Sequence, residues 1–465
     1  MVSPGAPCGS GAPPDGDLRP VAGLECGALP AVAWTELTGA PFDAAAWEAL
    51  ARRAEAALPA LREAVVAHAR SLAPDGGEGW LDVVTPYTDA QVAPTKTGRA
   101  RKLPERAFNP DSRDQQLRLL RALGVAVADV QEATLAAVRG QHPVVEALLA
   151  LKAVTKQATA FGTDYLKHVH PATGRIHAGY AQIGSEAGRM SCRGPNLQQV
   201  PHEDAYRACF RAPAGRVLVR ADYAQIELCV IAELAGDRTM LAALVAGDDL
   251  HRLTAAALYG KAPEAVTPSE RAFGKTMNFG TVFGQGVAGL KRQAAAQGIA
   301  LSDAQARVFL ARFDRAWPQL ARWRRQQLRS RAAVVRTAGG RQRRLAPTDP
   351  GTYRLNTPVQ GTAADGFKAA LGELWATRGR CPSGAPVLLV HDELVVEADE
   401  RDAAAAVAWV TDAMVAGMRR SLREAPVRVE ATVSRSWGGP PLPAAAPAAA
   451  RPDTGGGTHE PAAPR

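Results

Sequence analysis

Two carboxylates stand at strand ends far apart in the chain: Asp222 in "RVLVRADYAQIEL" and Asp392 in "APVLLVHDELVVEA". Each follows an apolar run, so each sits where a half-buried strand meets polar residues. Taken alone, an Asp at a strand–helix junction is most simply a helix cap, and the "HDE" around Asp392 most simply a solvated hairpin turn. Brought together by a fold, the pair could share divalent metals and support phosphoryl transfer. Between them lies "TPSERAFGKTMNFGTVFG", in which Arg271, Lys275, Phe279 and Phe283 recur every four residues and share one slowly drifting helix face. Two cations one turn apart suit a triphosphate, and a ring one turn further can stack on a base or pack on a sugar. A surface helix with a basic stripe is the plainer reading. Against it, Asn278, Phe279 and Gly280 are poor mid-helix chemistry, and such breaches concentrate at functional sites. The pattern points to nucleotidyl transfer on a charged polymer.

These residues need elements to hold them. Thr267-Pro268-Ser269-Glu270 is a strong helix start, with an N-cap, a proline at N1 and a capping-box glutamate. Nearly everything from Gln225 to Val335 reads as helix. Strand character appears before Asp222, returns at "AAVVRT" and at 386–398, and again near 427–433. Strands therefore flank a helical insertion, which argues for one β-containing core built from sequence-distant pieces. Upstream, a helix is expected from Phe42 to about Leu72, capped by Asp43, with Trp47, Leu50, Leu58, Leu61 and Val65 available for burial. Ser112 and Gln115 read as a capping box for a helix stopped by Gly124. A second helix is expected from Pro143 to about His168, followed by a hairpin in "HPATGRIHAGYAQIG". Residues 1–30 and 438–465 are rich in Pro, Gly and Ala, lack periodicity, and read as disordered.

Bulk properties narrow the class. The 465 residues can bury a sizeable core in two or three subdomains. A net charge of +9, carried mainly by arginine, fits a polyanionic partner without proving one. The basic segments "PTKTGRARK" (94–102) and Arg322, Arg324, Arg325, Arg329, Arg331, Arg336 are either solvated faces or phosphate contacts. The cysteines Cys8, Cys26, Cys192, Cys209, Cys229 and Cys381 form no CxxC pair, and so read as reduced thiols of a cytoplasmic protein rather than a zinc site. The N-terminus has no signal-peptide pattern, and no apolar run reaches the roughly 18 residues of a membrane span.

The same motifs resemble the polymerase region of the bacterial DNA polymerase I family, family A. "DYAQIEL" is similar to its first carboxylate motif, "RAFGKTMNFGTVFG" to its fingers-helix motif and "VHDE" to its second carboxylate motif. "GRMSCRGPNLQQVP", "DLHRLTA", "TAGGRQRR" and "NTPVQGTAAD" resemble further family motifs, and "AFNPDSRDQQLRLLRALGV" the start of its thumb, in the right order over about residues 30–436. The resemblance implies an α+β, right-hand architecture with a β-containing palm and largely helical fingers and thumb. Its implied bounds are a helical connector at 31–75, thumb at 76–165, palm at 166–235 and 335–437, and fingers at 236–334.

The resemblance also implies roles. Asp222 and Asp392, with the carbonyl of Tyr223, would hold two Mg²⁺ ions, and Glu393 would support them. Arg271, Lys275 and His251 would bind the triphosphate, with Lys275 also protonating the leaving pyrophosphate. Phe279 would pack on the incoming sugar and Phe283 near the templating base. Glu227 would exclude a ribose hydroxyl, with Gln225 beside it. Arg189, Asn196, Gln198, Arg341, Asn356, Gln360 and His391 would contact primer–template DNA near the primer end, testing pair geometry at minor-groove acceptors.

The implied enzyme is a monomeric, template-directed DNA polymerase using deoxynucleoside triphosphates, away from membranes. Departures from the family pattern are Phe283 for tyrosine, Cys229 for a basic residue and Ala187 for threonine. No upstream strand carries the Asp-x-Glu pair of a proofreading nuclease, so a polymerase module alone is expected, encoded as such or truncated at its start. Alternatives are a single-subunit RNA polymerase, against which Glu227 and Phe279 speak, and a decayed DNA-binding relative, against which the intact Asp222, Asp392, Arg271 and Lys275 speak. Whether the role is replication, repair or bypass is left open.

Overall fold

The computed structural model describes residues 17–73, 79–85 and 107–442. The chain begins with α1 (Arg19–Thr38), β1 (Ala40–Pro41), α2 (Ala44–Arg70), α3 (Gly79–Val84), α4 (Arg113–Ala122), α5 (Glu132–Ala136) and α6 (Pro143–Ala160). Next come β2 (Arg175–Ile176), β3 (Gly179–Ala181), β4 (Ser191–Arg193), α7 (Asp204–Ala208) and β5 (Arg216–Tyr223). A helical run follows: α8 (Ile226–Ala235), α9 (Arg238–Ala246), α10 (Leu250–Tyr259), α11 (Pro268–Val282), α12 (Val287–Ala295), α13 (Asp303–Ala316) and α14 (Pro318–Arg329). The chain returns through β6 (Val334–Arg336), β7 (Gln342–Arg344), α15 (Tyr353–Ala376), β8 (Ala385–Val390), β9 (Glu393–Asp399), α16 (Ala403–Arg419) and β10 (Val429–Ser434).

The centre is a four-stranded antiparallel sheet in the order β10-β5-β9-β8. Strands β8 and β9 are near-continuous apolar runs because both faces are covered: β9 is buried from Glu393 to Ala398, whereas the edge strand β10 is half-exposed. Helices α15 and α16 pack on one another, α16 lies against β5, β9 and β10, and α1 against β8. The β5–β9 register sets Asp222 opposite Glu393, and the β5–β10 register sets Asp222 opposite Glu430. Sequence separation is thus erased by strand pairing, as the two-carboxylate reading required.

The helices inserted after β5 start on the caps their sequence promises. Thr267 and Glu270 form the reciprocal capping box of α11. Buried Asp237 caps α9 through Met240 N (3.1 Å) and also accepts from Leu320 N (3.0 Å), which pins α14 to α9. Gly274 lets α11 approach α10: a Cβ there would run into the carbonyl oxygen of His251. A separate apolar cluster joins α2, α4 and α6 through Leu58, Val65, Leu119, Leu120, Val144 and Leu148. Asp43 caps α2, accepting from Ala46 N at 2.9 Å.

Several expectations are corrected. Residues 19–30 are not irregular but the first half of α1, with Pro20 in its first turn and Val21, Ala28, Ala31 and Val32 buried. Its apolar face is built from small residues, and a hydrophobic scan underweights those. Residues 438–442 likewise pack on β10, Leu442 N donating to Val433 O at 2.8 Å. The capping box at Ser112 does not form, because Gln115 instead accepts from Asn109 N (2.7 Å). The helix from Pro143 ends at Ala160, and a 3₁₀ turn covers Thr163–His168. The break is at Gly162, whose backbone is extended and lies too close to Ala158 O for a side chain. The expected hairpin survives only as a tight turn in which Val169 bridges Ile176, while β2 pairs with β1 and β3 with β4. The segment 94–102 lies outside the described residues. Among the described residues, no helix is long and apolar enough to cross a membrane.

Candidate active site

Each aspartate has a residue of left-handed backbone close by in the chain. His391 and Asp392 form a two-residue turn between β8 and β9, Val390 pairing with Glu393. His391 takes φ 59°, at the position that a type II′ turn normally gives to glycine. Gln225, between β5 and α8, takes φ 54°. Left-handed φ at two non-glycine residues is uncommon, and such strain gathers at functional sites. The hairpin-turn reading of Asp392 is therefore right, and the strain beside it leaves room for a functional one.

A cavity of about 510 Å³ opens above these turns. Asp222, Tyr223 and Asp392 line its floor. Gln225 and Glu227 come from the start of α8, His251 from α10, Lys275 and Phe279 from α11, and Arg189, Gln360 and His391 complete the walls. The rings of His251 and Phe279 lie 5.8 Å apart between centroids. Arg189 Nη2 donates to Glu227 Oε1 at 2.5 Å.

The electrostatics are those of crowded acids short of cations. Burial pushes the Asp222 carboxyl up to about 7, and the nearby charges of Asp392 and Glu393 push the same way. Burial also raises Asp392 and Glu393, the latter against the indole of Trp437, whose Nε1 donates to Glu393 Oε1 at 2.6 Å. Burial raises Glu227 against the opposing charge of Arg189. Burial lowers His251 to about 4, with Arg271 and Lys275 adding to the effect and Asp249 opposing it.

One test bears on a metal. Asp222 Oδ1 is buried and has no hydrogen-bond partner, an arrangement that costs free energy unless a cation or donor arrives. Among the described residues no cluster of three or more His, Cys, Asp or Glu side chains forms a closed metal cage. Mg²⁺ does not need one: it is commonly bound by one or two carboxylates, retained waters and substrate phosphates. The all-oxygen donor set of Asp222, Asp392 and the Tyr223 carbonyl fits that ion.

The other expected residues lie around this centre or away from it. Arg271 is at the margin, ion-paired to Asp249. Glu393 lies beneath the floor, fixed by Trp437. Phe283 caps the C-terminus of α11 and lines a neighbouring cavity of about 1110 Å³ with residues 126–138. Asn196 caps a short 3₁₀ turn through Gln198 N (3.1 Å), and Gln198 Nε2 donates to Leu389 O (3.3 Å). Asn356 Oδ1 is buried without a partner. Arg341 departs most from expectation. It is buried, its guanidinium donating to Asp365 Oδ1 (2.8 Å) and pairing with Glu25 on α1, which also binds Lys368 (2.5 Å). In this conformation it is an internal strut, not an exposed DNA contact. Arg324 and Arg325, from the basic run, pair with Asp314.

Sequence reasoning missed Asp249, which caps α10 through His251 N (3.0 Å) and Arg252 N (3.1 Å) while holding Arg271. The Asp two residues before His251 was a readable cap signal. It also missed Thr254, which is buried with no exposed surface, as is Asn278, marked in the sequence as a breach of helix chemistry.

Comparison with known proteins agrees with the geometry. The family model described as DNA polymerase family A matches residues 91–439. The chain is 35% identical over 367 residues to "DNA polymerase I, thermostable" of Thermus filiformis, an alignment covering 73% of this chain and 43% of that protein. It is 34% identical over 284 residues to DNA polymerase I of Aquifex aeolicus, covering 59% and 48%. The chain thus spans less than half the length of these relatives. In solved structures, it resembles the POL domain of Pol1 from M. smegmatis in complex with DNA primer-template and dNTP. That match has a TM-score of 0.69 and 25% identity, over 89% of this chain and 70% of that one. With the motifs matched across most of its length and the fold shared with a polymerase domain, this chain belongs to DNA polymerase family A.

Proposed function

We propose that the chain is a template-directed DNA polymerase, adding deoxynucleotides to a primer 3′-hydroxyl and releasing pyrophosphate. The single observation that carries this reading is the cavity that joins Asp222 and Asp392 to Glu227, His251, Lys275 and Phe279. In this reading residues 76–165 are the thumb, 236–334 the fingers, and 166–235 with 335–437 the palm. Asp222, Asp392 and the Tyr223 carbonyl would hold two Mg²⁺ ions, which would acidify the primer hydroxyl and neutralise the triphosphate. Glu393, anchored by Trp437, keeps the Asp392 turn in place. Lys275, which forms no ion pair among the described residues, is free to neutralise the triphosphate and to give a proton to pyrophosphate as it leaves. Arg271, aimed by Asp249, and His251 bind the same phosphates.

Phe279 packs on the sugar and Glu227 fills the space a 2′-hydroxyl would need, with Gln225 beside it. Phe283 borders the templating base. Arg189, Gln360 and His391 meet the primer end, with Asn356, Asn196 and Gln198 nearby. The enzyme acts on primer–template DNA as a cytoplasmic monomer, and this sequence carries no 3′→5′ exonuclease of its own. Primer extension on a defined template, with each dNTP against each rNTP, tests the reading: failure to extend with dNTPs, or equal use of rNTPs, defeats it. Omitting nucleotides in the presence of a mismatched 3′ end and Mg²⁺ tests the exonuclease, for which shortening of the primer is the contrary outcome.

A further inference from the structure

A line of buried hydrogen bonds crosses the helical layer and ends on the imidazole of His251. Trp317 Nε1 donates to Thr254 Oγ1 at 3.1 Å, and Thr254 Oγ1 donates to Asn278 Oδ1 at 2.8 Å. Asn278 Nδ2 lies 3.3 Å from Leu250 O and 2.9 Å from His251 Nδ1. Thr254 and Asn278 are fully buried, Trp317 is 3% exposed and His251 5%.

The direction of every bond in this line is forced from its two ends. An indole N–H can only donate, so the Thr254 oxygen accepts from Trp317 and gives its own proton to the Asn278 side-chain oxygen. A main-chain carbonyl can only accept, so the amide nitrogen of Asn278, not its oxygen, faces Leu250. A flipped amide would set two acceptors against each other in a buried site, which is costly. The Asn278 nitrogen therefore also faces His251, and Nδ1 of that ring must accept. The one proton of a neutral imidazole is then on Nε2. A doubly protonated ring would turn Nδ1–H against the N–H of Asn278, so the same line of bonds disfavours the charged form. The surrounding charges agree: Arg271 and Lys275 face the ring, and burial adds to their effect against Asp249 alone. Since the Nδ1 edge is committed to Asn278 and the ring lines the cavity, the Nε2 edge is the one left for a ligand.

We propose that Trp317, Thr254 and Asn278 are positioning residues that lock His251 as a neutral Nε2–H donor, presented to the incoming triphosphate. The inference rests on the polymerase reading for the identity of the ligand, but not for the tautomer. Arg271 and Lys275 supply the charge; His251 supplies one directed hydrogen bond whose strength does not change with pH across the physiological range.

Nitrogen NMR of the full chain labelled at histidine tests this directly, with His251→Gln identifying the signal. The expected wild-type spectrum shows a protonated Nε2 and an unprotonated Nδ1, unchanged between about pH 6 and pH 8. A proton on Nδ1, or titration of the ring in that window, overturns the proposal. Asn278→Asp replaces the amide donor with an acceptor, so the ring should either reverse its tautomer or become protonated near neutrality. KM for dNTP should then rise about tenfold at unchanged primer–template affinity. Thr254→Val keeps the volume and removes the hydroxyl, and should give mixed tautomers with a rise in KM of about threefold. An unaltered ring spectrum in both variants removes Trp317, Thr254 and Asn278 from the role. Should the wild-type tautomer be as stated while no dNTP is incorporated, the polymerase reading fails and the hydrogen-bond relay stands.

Discussion

The guanidinium of Arg189 and the carboxylate of Glu227, 38 residues apart, meet at 2.5 Å on the rim of the cavity. Glu227 is the residue proposed to exclude a 2′-hydroxyl, and a gate works only if its side chain is held still. Among the described residues Arg189 is the hydrogen-bond partner that fixes the carboxylate. Glu227→Ala should lower discrimination against rNTPs by about tenfold or more, with some loss of catalysis because the carboxylate also orders the pocket. Arg189→Ala should lower it less, by about threefold, since the carboxylate stays but loses its tether. Single-nucleotide insertion kinetics with dNTP and rNTP decide this, and unchanged selectivity in Glu227→Ala removes the gate.

The raised Asp222 carboxyl makes a stability prediction for the metal-free protein. Its value of about 7 in the fold exceeds the ordinary 3.8, so between those values the folded chain binds more protons than the unfolded one. Stability should therefore fall as pH rises from about 4 to 7, and Mg²⁺ should restore it. Asp222→Asn removes the effect. In EDTA at pH 8 it should stabilise the protein by about 1–2 kcal/mol after solvent screening is allowed for, while abolishing extension and leaving primer–template affinity largely intact. Thermal melts at pH 5 and pH 8, with and without Mg²⁺, measure the first part. A variant that keeps a tenth of wild-type turnover contradicts the second.

What could be read from the sequence was mostly what is local and strong. The strand ending at Asp222, the 391–392 turn and the Thr267–Glu270 box rest on short-range patterns, and the structure has all three. The Ser112–Gln115 pattern is just as local, yet Gln115 was drawn off by Asn109 N, a competitor six residues away. Helix α1 escaped notice because its buried face is alanine and valine within a Pro- and Gly-rich stretch. The partners that tune the site were not legible at all. Trp437 and Glu393 are 44 residues apart, Asp249 and Arg271 22, Glu25 and Arg341 316. Only the packed fold shows which donor each carboxylate meets, and for Arg341 that changes the reading from DNA contact to internal strut.

Asp249 yields the next prediction. It caps α10 at the turn bearing His251 and holds the guanidinium of Arg271. Asp249→Ala should lose both, raising KM for dNTP by about tenfold or more with little change in DNA affinity. Asp249→Asn keeps a capping oxygen but weakens the ion pair, and should fall between. Arg271→Ala and Lys275→Ala should likewise weaken dNTP use far more than DNA binding. Gel-shift affinity lost in parallel with activity would instead put α11 on the DNA backbone.

Phe279 gives the sharpest test of where α11 sits over the substrate. Its ring faces the cavity one turn beyond Lys275 and lies against His251. In the proposed role a phenyl group there would pack on the sugar but cannot offer a hydroxyl to replace the contact that a missing 3′-hydroxyl would have made. Dideoxynucleotides should therefore be used poorly by the wild type. Phe279→Tyr adds that hydroxyl at nearly constant volume and should admit them much more readily. One polar contact left unmade is worth about 1–3 kcal/mol, so the gain in ddNTP use should be roughly one to two decades. Deoxynucleotide kinetics should change little, because their own 3′-hydroxyl already makes the contact. Measured insertion of ddNTP against dNTP by the two proteins settles the matter: equal selectivity in both means that α11 does not lie over the incoming sugar.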